Sequence, residues 1–382
     1  MFVRQRVMAM AKRCHITVVA PVPWVPEWIC RIFPHYAKYH GIEVESKDGD
    51  VTVFHPRYLT FPKIFKSLDG LFMAVAALLF FRQQGKYWDY DIVDGHWLYP
   101  DGTAALILGK IHGTAATVTV RGDDIRTFSR YLLRRQWIRW TLQNASWLFS
   151  VSEDLKKWIG RVAGEDCRAD VSHNGIDTGR FYPRKRDACR KQLRLPEMST
   201  ILIAVGRIEY PKGQSILIDA LKVLVDLGGD FRLVLVGPVD DDAYGDQIRQ
   251  DSSDPTLARR IYLTGPVRHE DIPIWLSSAD IFVMASENEG CPNVLLEAMA
   301  CQLPVVTTNV GGISELIGEE EGCIFTERTP EAFAEAIAEM AGRIESSRTG
   351  NGDIHRRIRT WAEVADEVIQ RMESLQTNTG RT

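Results

Sequence analysis

Short runs of β-branched and apolar residues alternate along the chain with longer amphipathic stretches. Val3–Met10 has helical spacing, and Ile16–Ala20 and Val51–Phe54 read as strands. From residue 91 the alternation is regular: strand Asp91–Val93, helix Thr103–Ile111, strand Ala116–Val120, helix Phe128–Leu142, strand Trp147–Val151, helix Asp154–Val162, strand Ala169–Ser172. Asn174-Gly175 and Tyr182-Pro183 interrupt it, which places a linker near Thr178–Arg186. A second alternation follows, with strands at Ile201–Val205, Arg232–Val236, Arg260–Leu263, Ile281–Met284 and Val305–Thr308. The helices between and after them fall at Gln214–Leu227, Tyr244–Asp251, Asp271–Leu276, Asn293–Cys301 and Ser314–Ile317. Glu331–Ile344 predicts a helix with Phe333, Ile337 and Met340 on one stripe; beyond a polar Ser346–Gly352, a last helix runs from about His355 to Leu375. The tail Gln376–Thr382 is expected to be disordered.

Strands alternating with helices imply βαβ units and parallel sheets covered on both faces. The expected fold class is α/β, with two doubly wound, Rossmann-like parallel-sheet domains facing a cleft. They are residues 1–178 and residues 187–354. Residues 355–375 form a C-terminal helix packing back toward the first domain. Ligands of such sheets bind at the carboxyl ends of the strands.

One segment breaks the alternation. Ile64–Phe81 starts amphipathic and becomes apolar nearly all round, bracketed by Lys63, Lys66, Arg82 and Lys86. It reads first as a buried or interface helix, with a membrane-surface helix carrying snorkelling basic flanks as the alternative. Its longest apolar run, Leu71–Phe81, falls well short of the roughly 20 residues that span a bilayer.

Composition changes this picture little. The chain has 382 residues, 45% hydrophobic and 25% charged, with a formal net charge of −4, which gives no global argument for nucleic acid. The halves differ: residues 1–172 carry a net +6 and residues 173–382 a net −10, so an anionic partner or a merely solvated surface fits the first half. The seven cysteines form no C-x-x-C pair, which fits a reducing compartment without a structural metal. No sustained apolar segment follows the basic start, so the expectation is a cytoplasmic protein.

The chemistry concentrates in Ser286–Glu315, SENEGCPNVLLEAMACQLPVVTTNVGGISE. Pro292 suits the first position of a helix, and the amides of Asn293, Val294 and Leu295 would make an anion site at its start. Glu289 before that helix and Glu297 within it repel phosphate, but suit a ligand carrying phosphates and hydroxyl-rich sugars. Two further strand ends face the same sheet edge. Gly206-Arg207-Ile208 with Lys212-Gly213 offers a guanidinium fork and a point charge to a diphosphate. Leu263-Thr264-Gly265-Pro266-Val267 is a turn whose backbone suits a base edge.

These stretches resemble glycosyltransferase family 4, which has the GT-B architecture. The matching residues are VGRI at 205–208, KG at 212–213 and EGCPNVLLEAMACQLPVVTTNVGGISELI at 289–317, with SVSEDLKKWI at 150–159 and HNGID at 173–177. The resemblance implies a retaining transferase that moves a hexosyl group from a nucleotide-diphosphate sugar to a hydroxyl acceptor. It implies no cofactor and no metal. It assigns Arg207 and Lys212 to the donor diphosphate, Glu289 to the sugar hydroxyls and Glu297 to the ribose. Gly206, Gly290, Cys291, Pro292, Asn293, Val294, Leu295, Val267, Gly311 and Gly312 would line the donor. Cys291 stands where the family usually has Phe, and Gln302 where it usually has a helix-capping Gly.

In the first domain, DGHWLYPDG at 94–102 and TVRGDDI at 119–125 resemble members acting on bacterial surface-polysaccharide intermediates. The acceptor would be a glycan or a lipid-linked intermediate. The family's H-G-x-D histidine is replaced by Arg121, which cannot serve as a base but can hold a leaving diphosphate or an anionic acceptor. His96 is then either the group that transfers a proton or a hydrogen-bonded structural residue. Asp123 and Asp124 are acceptor hydroxyl ligands or helix caps. Arg126, Arg130 and Arg134, with Leu133, Trp137 and Trp140 beside them, form either a docked amphipathic helix or a footprint for anionic lipid. The family's first strand and glycine loop are not represented, because FVRQRVMAMAKR matches the middle of the helix that follows them; the neighbouring strands would be left with unpaired edges. An epimerase of the same architecture and a non-catalytic sugar-nucleotide-binding protein are the alternative functions.

Overall fold

The computed structural model describes residues 2–83, 89–257, 259–319, 322–346 and 357–379, with the side chains of Asp123 and of residues 376–379 outside that description. Lys86, the stretch 347–352 and His355 fall outside the described residues, as do residues 380–382. The chain divides into two compact units, Met1–Asn174 with Trp361–Thr382, and Gly175–Thr360. Among the described residues no helix is long and apolar enough to cross a membrane.

The strands of the first unit are β1 (Thr17–Val19), β2 (Val22–Trp24), β3 (Glu45–Asp48), β4 (Val51–Phe54), β5 (Arg57–Leu59), β6 (Ile92–His96), β7 (Ala115–Val120), β8 (Trp147–Ser150) and β9 (Asp170–Val171). A parallel sheet runs β6-β7-β8-β9, a second runs β1-β4-β3 with β3 antiparallel, and β2 pairs with β5. Among the described residues β1 pairs only with β4, and β6 only with β7. The two sheets nevertheless share their helices. Helices Asp69–Gln83 and Thr103–His112 gather Met73, Ala74, Ala77, Ala104 and Leu108 with Val19. Helices Phe2–Met10 and Trp361–Thr379 bring Met10, Ala365, Val368 and Met372 against Ile16, Ile92 and Phe149. Residues Thr17–Val19 and Ile92–Asp94 are only half-buried, whereas Ala116, Val118 and Val120 inside β7 are buried. Among the described residues β1 and β6 each end a sheet.

The second unit contains β10 (Thr200–Val205), β11 (Phe231–Val236), β12 (Ile261–Leu263), β13 (Ile281–Met284), β14 (Val305–Thr308) and β15 (Cys323–Thr326). They form one parallel sheet in the order β12-β11-β10-β13-β14-β15. Parallel strands covered on both faces become continuous apolar runs, and every residue of β13 and β14 is buried. Helix Pro330–Ser346 lays Phe333, Ile337 and Met340 against helix Gln214–Asp226. The chain builds outward from β10 through β11 to β12, then restarts at β13 on β10's other side. The switch point therefore lies between β10 and β13.

Several elements differ from expectation. The helix expected over 64–81 begins at Asp69, because Lys63 and Phe65 take left-handed backbone (φ 66° and 52°) and Lys66–Leu68 forms a separate 3-10 turn. Helix Phe128–Leu142 is broken at Tyr131, whose extended backbone (φ −91°, ψ 120°) separates the turn Phe128–Arg130 from helix Leu132–Asn144. That break resets the helical phase, so Arg126, Arg130 and Arg134 do not form one stripe, and Arg126 instead pairs with Asp154. The face docked on the unit is Ile138, Thr141 and Leu142, while Leu132 and Leu133 are exposed. Where the expected linker ends, the charged stretch that follows it forms an unexpected helix, Arg186–Leu193, anchored by the buried Arg190, which donates to the carbonyls of Ser278, Glu197 and Ser199 and to Asp280. Residues 376–379 continue the last helix rather than a disordered tail. Pro292 precedes its helix, Asn293–Ala300, as the cap and not the first residue.

Candidate active site

The loops after β10 and β13 leave adjacent carboxyl ends at the switch point, where an open α/β sheet forms its ligand crevice. The β10 loop is pinned by the Ile208 amide on the Pro238 carbonyl (2.8 Å) and by Gln214 Nε2 on the Arg207 carbonyl (2.8 Å). Gly237 passes so close that a Cβ there would lie 1.8 Å from the Gly206 carbonyl oxygen. Gly213, at φ +67°, packs its helix start against Ala285, whose carbonyl oxygen would be 2.4 Å from a Cβ. Two loops thus come together at glycines that admit no side chain.

Lys212 Nζ donates to Glu289 Oε1 at 2.7 Å, and Ser286 Oγ donates to the same oxygen at 2.7 Å. The two side chains are largely enclosed, Lys212 29% and Glu289 11% exposed. Arg207 is more open and pairs with Asp240 (3.1 Å) and Glu209 (3.3 Å). Next to Asp240, Asp241 caps helix Asp242–Asp251 by accepting from the Tyr244 amide. Glu297, on helix Asn293–Ala300, turns to His269, whose Nε2 lies 2.8 Å from Glu297 Oε1. Both cations assigned to a diphosphate therefore rest on carboxylates, and a diphosphate would have to share or displace those partners.

The remaining donor positions differ in exposure. Gly290, Asn293 and Val294 are half-buried, and Cys291, Pro292 and Leu295 are buried. The Leu295 amide is committed to the Pro292 carbonyl at 3.1 Å, which removes it from the expected anion site. Val267 is half-buried beyond Gly265, which takes φ +66°. Gly311 takes φ +60°, and Gly312 caps helix Ile313–Leu316.

The first unit carries a second polar cluster, at the carboxyl ends of β6 and β7. Arg121 is buried and donates to His96 Nδ1 (2.9 Å) and to Asn174 Oδ1 (3.2 Å), with its guanidinium 4.8 Å from the Phe2 ring centroid. An arginine only donates, so His96 Nδ1 is the acceptor and Nε2, 3.5 Å from Asp94, holds the proton. Burial, then the charges of Arg121 and Arg6, push the His96 pKa well below its usual value. In this arrangement both ring nitrogens face a partner, which fits the reading of His96 as a hydrogen-bonded structural residue better than that of a proton-transfer group. Asp124 is buried and accepts from the amides of Leu98, Arg121 and Gly122, which makes it the cap of this loop rather than an acceptor ligand. The side chain of Asp123 lies outside the described residues.

Residues 6–180 match the family model described as Glycosyltransferase Family 4, and residues 199–342 the one described as Glycosyl transferases group 1. The amylovoran biosynthesis glycosyltransferase AmsK of Erwinia amylovora is 31% identical over 346 residues, covering 83% of this chain and 79% of that protein. The chain belongs to the family 4 glycosyltransferases. The teichuronic acid biosynthesis glycosyltransferase TuaC of Bacillus subtilis is 28% identical over 328 residues, 84% of this chain and 79% of its own. In fold, HepE of Anabaena, solved in complex with UDP, aligns with a TM-score of 0.72 at 18% identity, covering 97% of this chain and 95% of that one. Sucrose-phosphate synthase of Thermosynechococcus elongatus aligns at 0.70 with 19% identity, covering 100% and 91%. The fold is GT-B.

Two departures from the family pattern acquire a structural meaning. Gln302 takes φ +61°, the left-handed conformation that explains the usual glycine, and donates its amide to the Met299 carbonyl. Cys291 is buried beside the site. Three contributors were not singled out from the glycosyltransferase motifs: Ser286 on Glu289, His269 on Glu297, and Arg180 on His269. Of these, only Ser286 and His269 follow strand ends and so carried a signal. A basic groove of about 710 Å³, lined by Trp147, Lys156, Arg161, Arg168 and Arg371 among others, opens where β8 and β9 begin, at the edge away from the strand ends.

Proposed function

We propose that this glycosyltransferase moves a hexosyl group, with retention of anomeric configuration, from a nucleotide-diphosphate sugar to a hydroxyl acceptor in cell-surface polysaccharide or glycolipid biosynthesis. The observation that carries the reading is the Lys212–Glu289 contact at the β10/β13 switch point. It sets a cation for a diphosphate beside a carboxylate for sugar hydroxyls. Arg207 and Lys212 stabilise the leaving diphosphate, Glu289 orients the sugar and Glu297 takes the ribose, with no metal in the reaction. The names of AmsK and TuaC support surface-polysaccharide chemistry, and the UDP and UDP-glucose complexes of HepE support a nucleotide-sugar donor.

The same proposal includes peripheral contact with an anionic membrane. Ile64, Phe65, Leu71, Val75 and Leu79 are exposed, as are Tyr131, Leu132 and Leu133, and the turn Lys66–Leu68 packs on helix Leu132–Asn144. Lys63 precedes the first of these stretches and Arg135 and Arg139 follow the second in the chain.

A panel of nucleotide sugars in a thermal-shift assay identifies the donor, since any ligand of the folded state raises its melting temperature. Glu289→Ala should lower turnover about 100-fold, on the scale of losing one transition-state contact, while nucleoside-diphosphate affinity stays within threefold. NMR of the product anomer checks retention. An inverted product refutes retention, and an unchanged Glu289→Ala turnover removes Glu289 from the site.

A further inference from the structure

Glu297 is held from behind. His269 Nε2 lies 2.8 Å from Glu297 Oε1, and on the other side of the ring Arg180 Nη1 lies 3.2 Å from His269 Nδ1. Because a guanidinium can only donate, Nδ1 must accept, and the ring's single proton is fixed on Nε2, pointing at the carboxylate. Phe181 packs on the imidazole with centroids 5.3 Å apart, and His269 and Glu297 are 16% and 10% exposed. The chain Arg180–His269–Glu297 therefore has one tautomer and one direction of donation. It occupies Glu297 Oε1, and Oε2 has no partner among the described residues.

We propose that Arg180 and His269 are positioning residues that preset Glu297 for the ribose hydroxyls of the donor nucleotide. The inference rests on the reading of Glu297 as the ribose ligand. A lone glutamate on a helix samples several rotamers, and ordering it costs free energy at the moment of binding. One whose first oxygen is already held presents the second without that cost. Arg180 belongs to the segment just after Asn174, where the chain enters the second unit, so this segment helps to build the ribose site.

The side-chain geometry suggests a discriminating pair of variants. Glutamine reaches about as far as Nε2 and still donates to Glu297, whereas asparagine reaches only as far as Nδ1 and keeps the Arg180 contact alone. The full chain is titrated calorimetrically with UDP, GDP and ADP and with the 2′,3′-dideoxy form of the tightest binder. His269→Asn should weaken the ribonucleotide about tenfold and leave the dideoxy form within threefold, the scale of one charge-assisted hydrogen bond. His269→Gln should stay within threefold of the parent for both. Donor KM should rise in the asparagine variant with kcat nearly unchanged. Glu297→Ala is the control. If it leaves the ribose preference intact, the ribose reading of Glu297 fails. If it abolishes that preference while His269→Asn preserves it, or if His269→Gln falls as far as His269→Asn, the positioning role is overturned.

Discussion

Replacing Lys212 by methionine removes one charge from the centre of the site and keeps most of the side-chain volume. In the ligand-free protein the substitution leaves Glu289 Oε1 with the Ser286 hydroxyl as a donor, so the fold itself is only modestly affected. The loss falls on the diphosphate. A hydrogen bond to a charged group contributes about 1.5–3 kcal/mol, so nucleoside-diphosphate affinity should fall about 10- to 150-fold. Glu289 adds to the loss, because its carboxylate, 11% exposed, would then face phosphate without the ammonium 2.7 Å away. Adding Glu289→Gln should therefore restore part of the affinity, a coupling of about 0.5–3 kcal/mol between neighbouring sites. The assay is calorimetric titration of parent, Lys212→Met and the double variant with the nucleoside diphosphate and its parent nucleoside. The nucleoside should bind all three alike. Diphosphate affinity within threefold of the parent in Lys212→Met would refute the reasoning, and equal weakening of the nucleoside would place Lys212 elsewhere in the site.

The depressed pKa of His96 predicts acid sensitivity. The unfolded chain protonates this group near 6.5 while the fold resists, so its contribution is full above that pH and is lost as pH falls toward the folded value, by up to about 1.4 kcal/mol per unit. Asp101 opposes it, since burial raises its carboxyl to about 6 and its penalty is relieved below that. Urea titrations between pH 7.5 and 5 should thus show a shallower decline in His96→Asn than in the parent, and parallel curves would contradict the assignment. For membrane contact, flotation with vesicles containing phosphatidylglycerol should capture the parent at low salt. Leu132→Ser with Leu133→Ser should reduce that capture several-fold, and capture by neutral vesicles alone or by none would end the idea.

The second unit was the more legible half, for a physical reason. Its central strands are buried on both faces, so IFVM at 281–284 and VVTT at 305–308 appear in the sequence as unbroken apolar or β-branched runs. The edge strand β15, only partly buried, lacks that signal and was missed, as were β2, β3 and β5 in the first unit. Helix Arg186–Leu193 was hidden by its charge, since the residue that anchors it is an arginine. Phe128–Leu142 reads as one helix because nothing local marks Tyr131 as the break. His269 could be noticed as a residue after β12, but not as a partner of Glu297, because the contact that fixes its tautomer comes from Arg180, 89 positions away.

The two units handle charge differently, and the difference bears on how each can act. At the switch point of the second unit, the cations Lys212 and Arg207 retain 29% and 56% side-chain exposure and sit on carboxylates. Such pairs are exchangeable, because an incoming diphosphate offers the same charge and more acceptor oxygens. In the first unit Arg121 is 9% exposed and held by His96, Asn174 and the face of Phe2, and Arg6 is 3% exposed on Thr119 and Asp94. Releasing either would leave buried acceptors without donors, at a cost of several kcal/mol. The guanidinium that replaces the family histidine is therefore a fixed feature of the loop after β7. Any role it has toward a ligand would be exerted through its field or through ordered contacts, with its present partners in place. That constraint directs mutagenesis toward Lys212 and Glu289 for chemistry, and toward Arg121 for the shape of the unit that carries it.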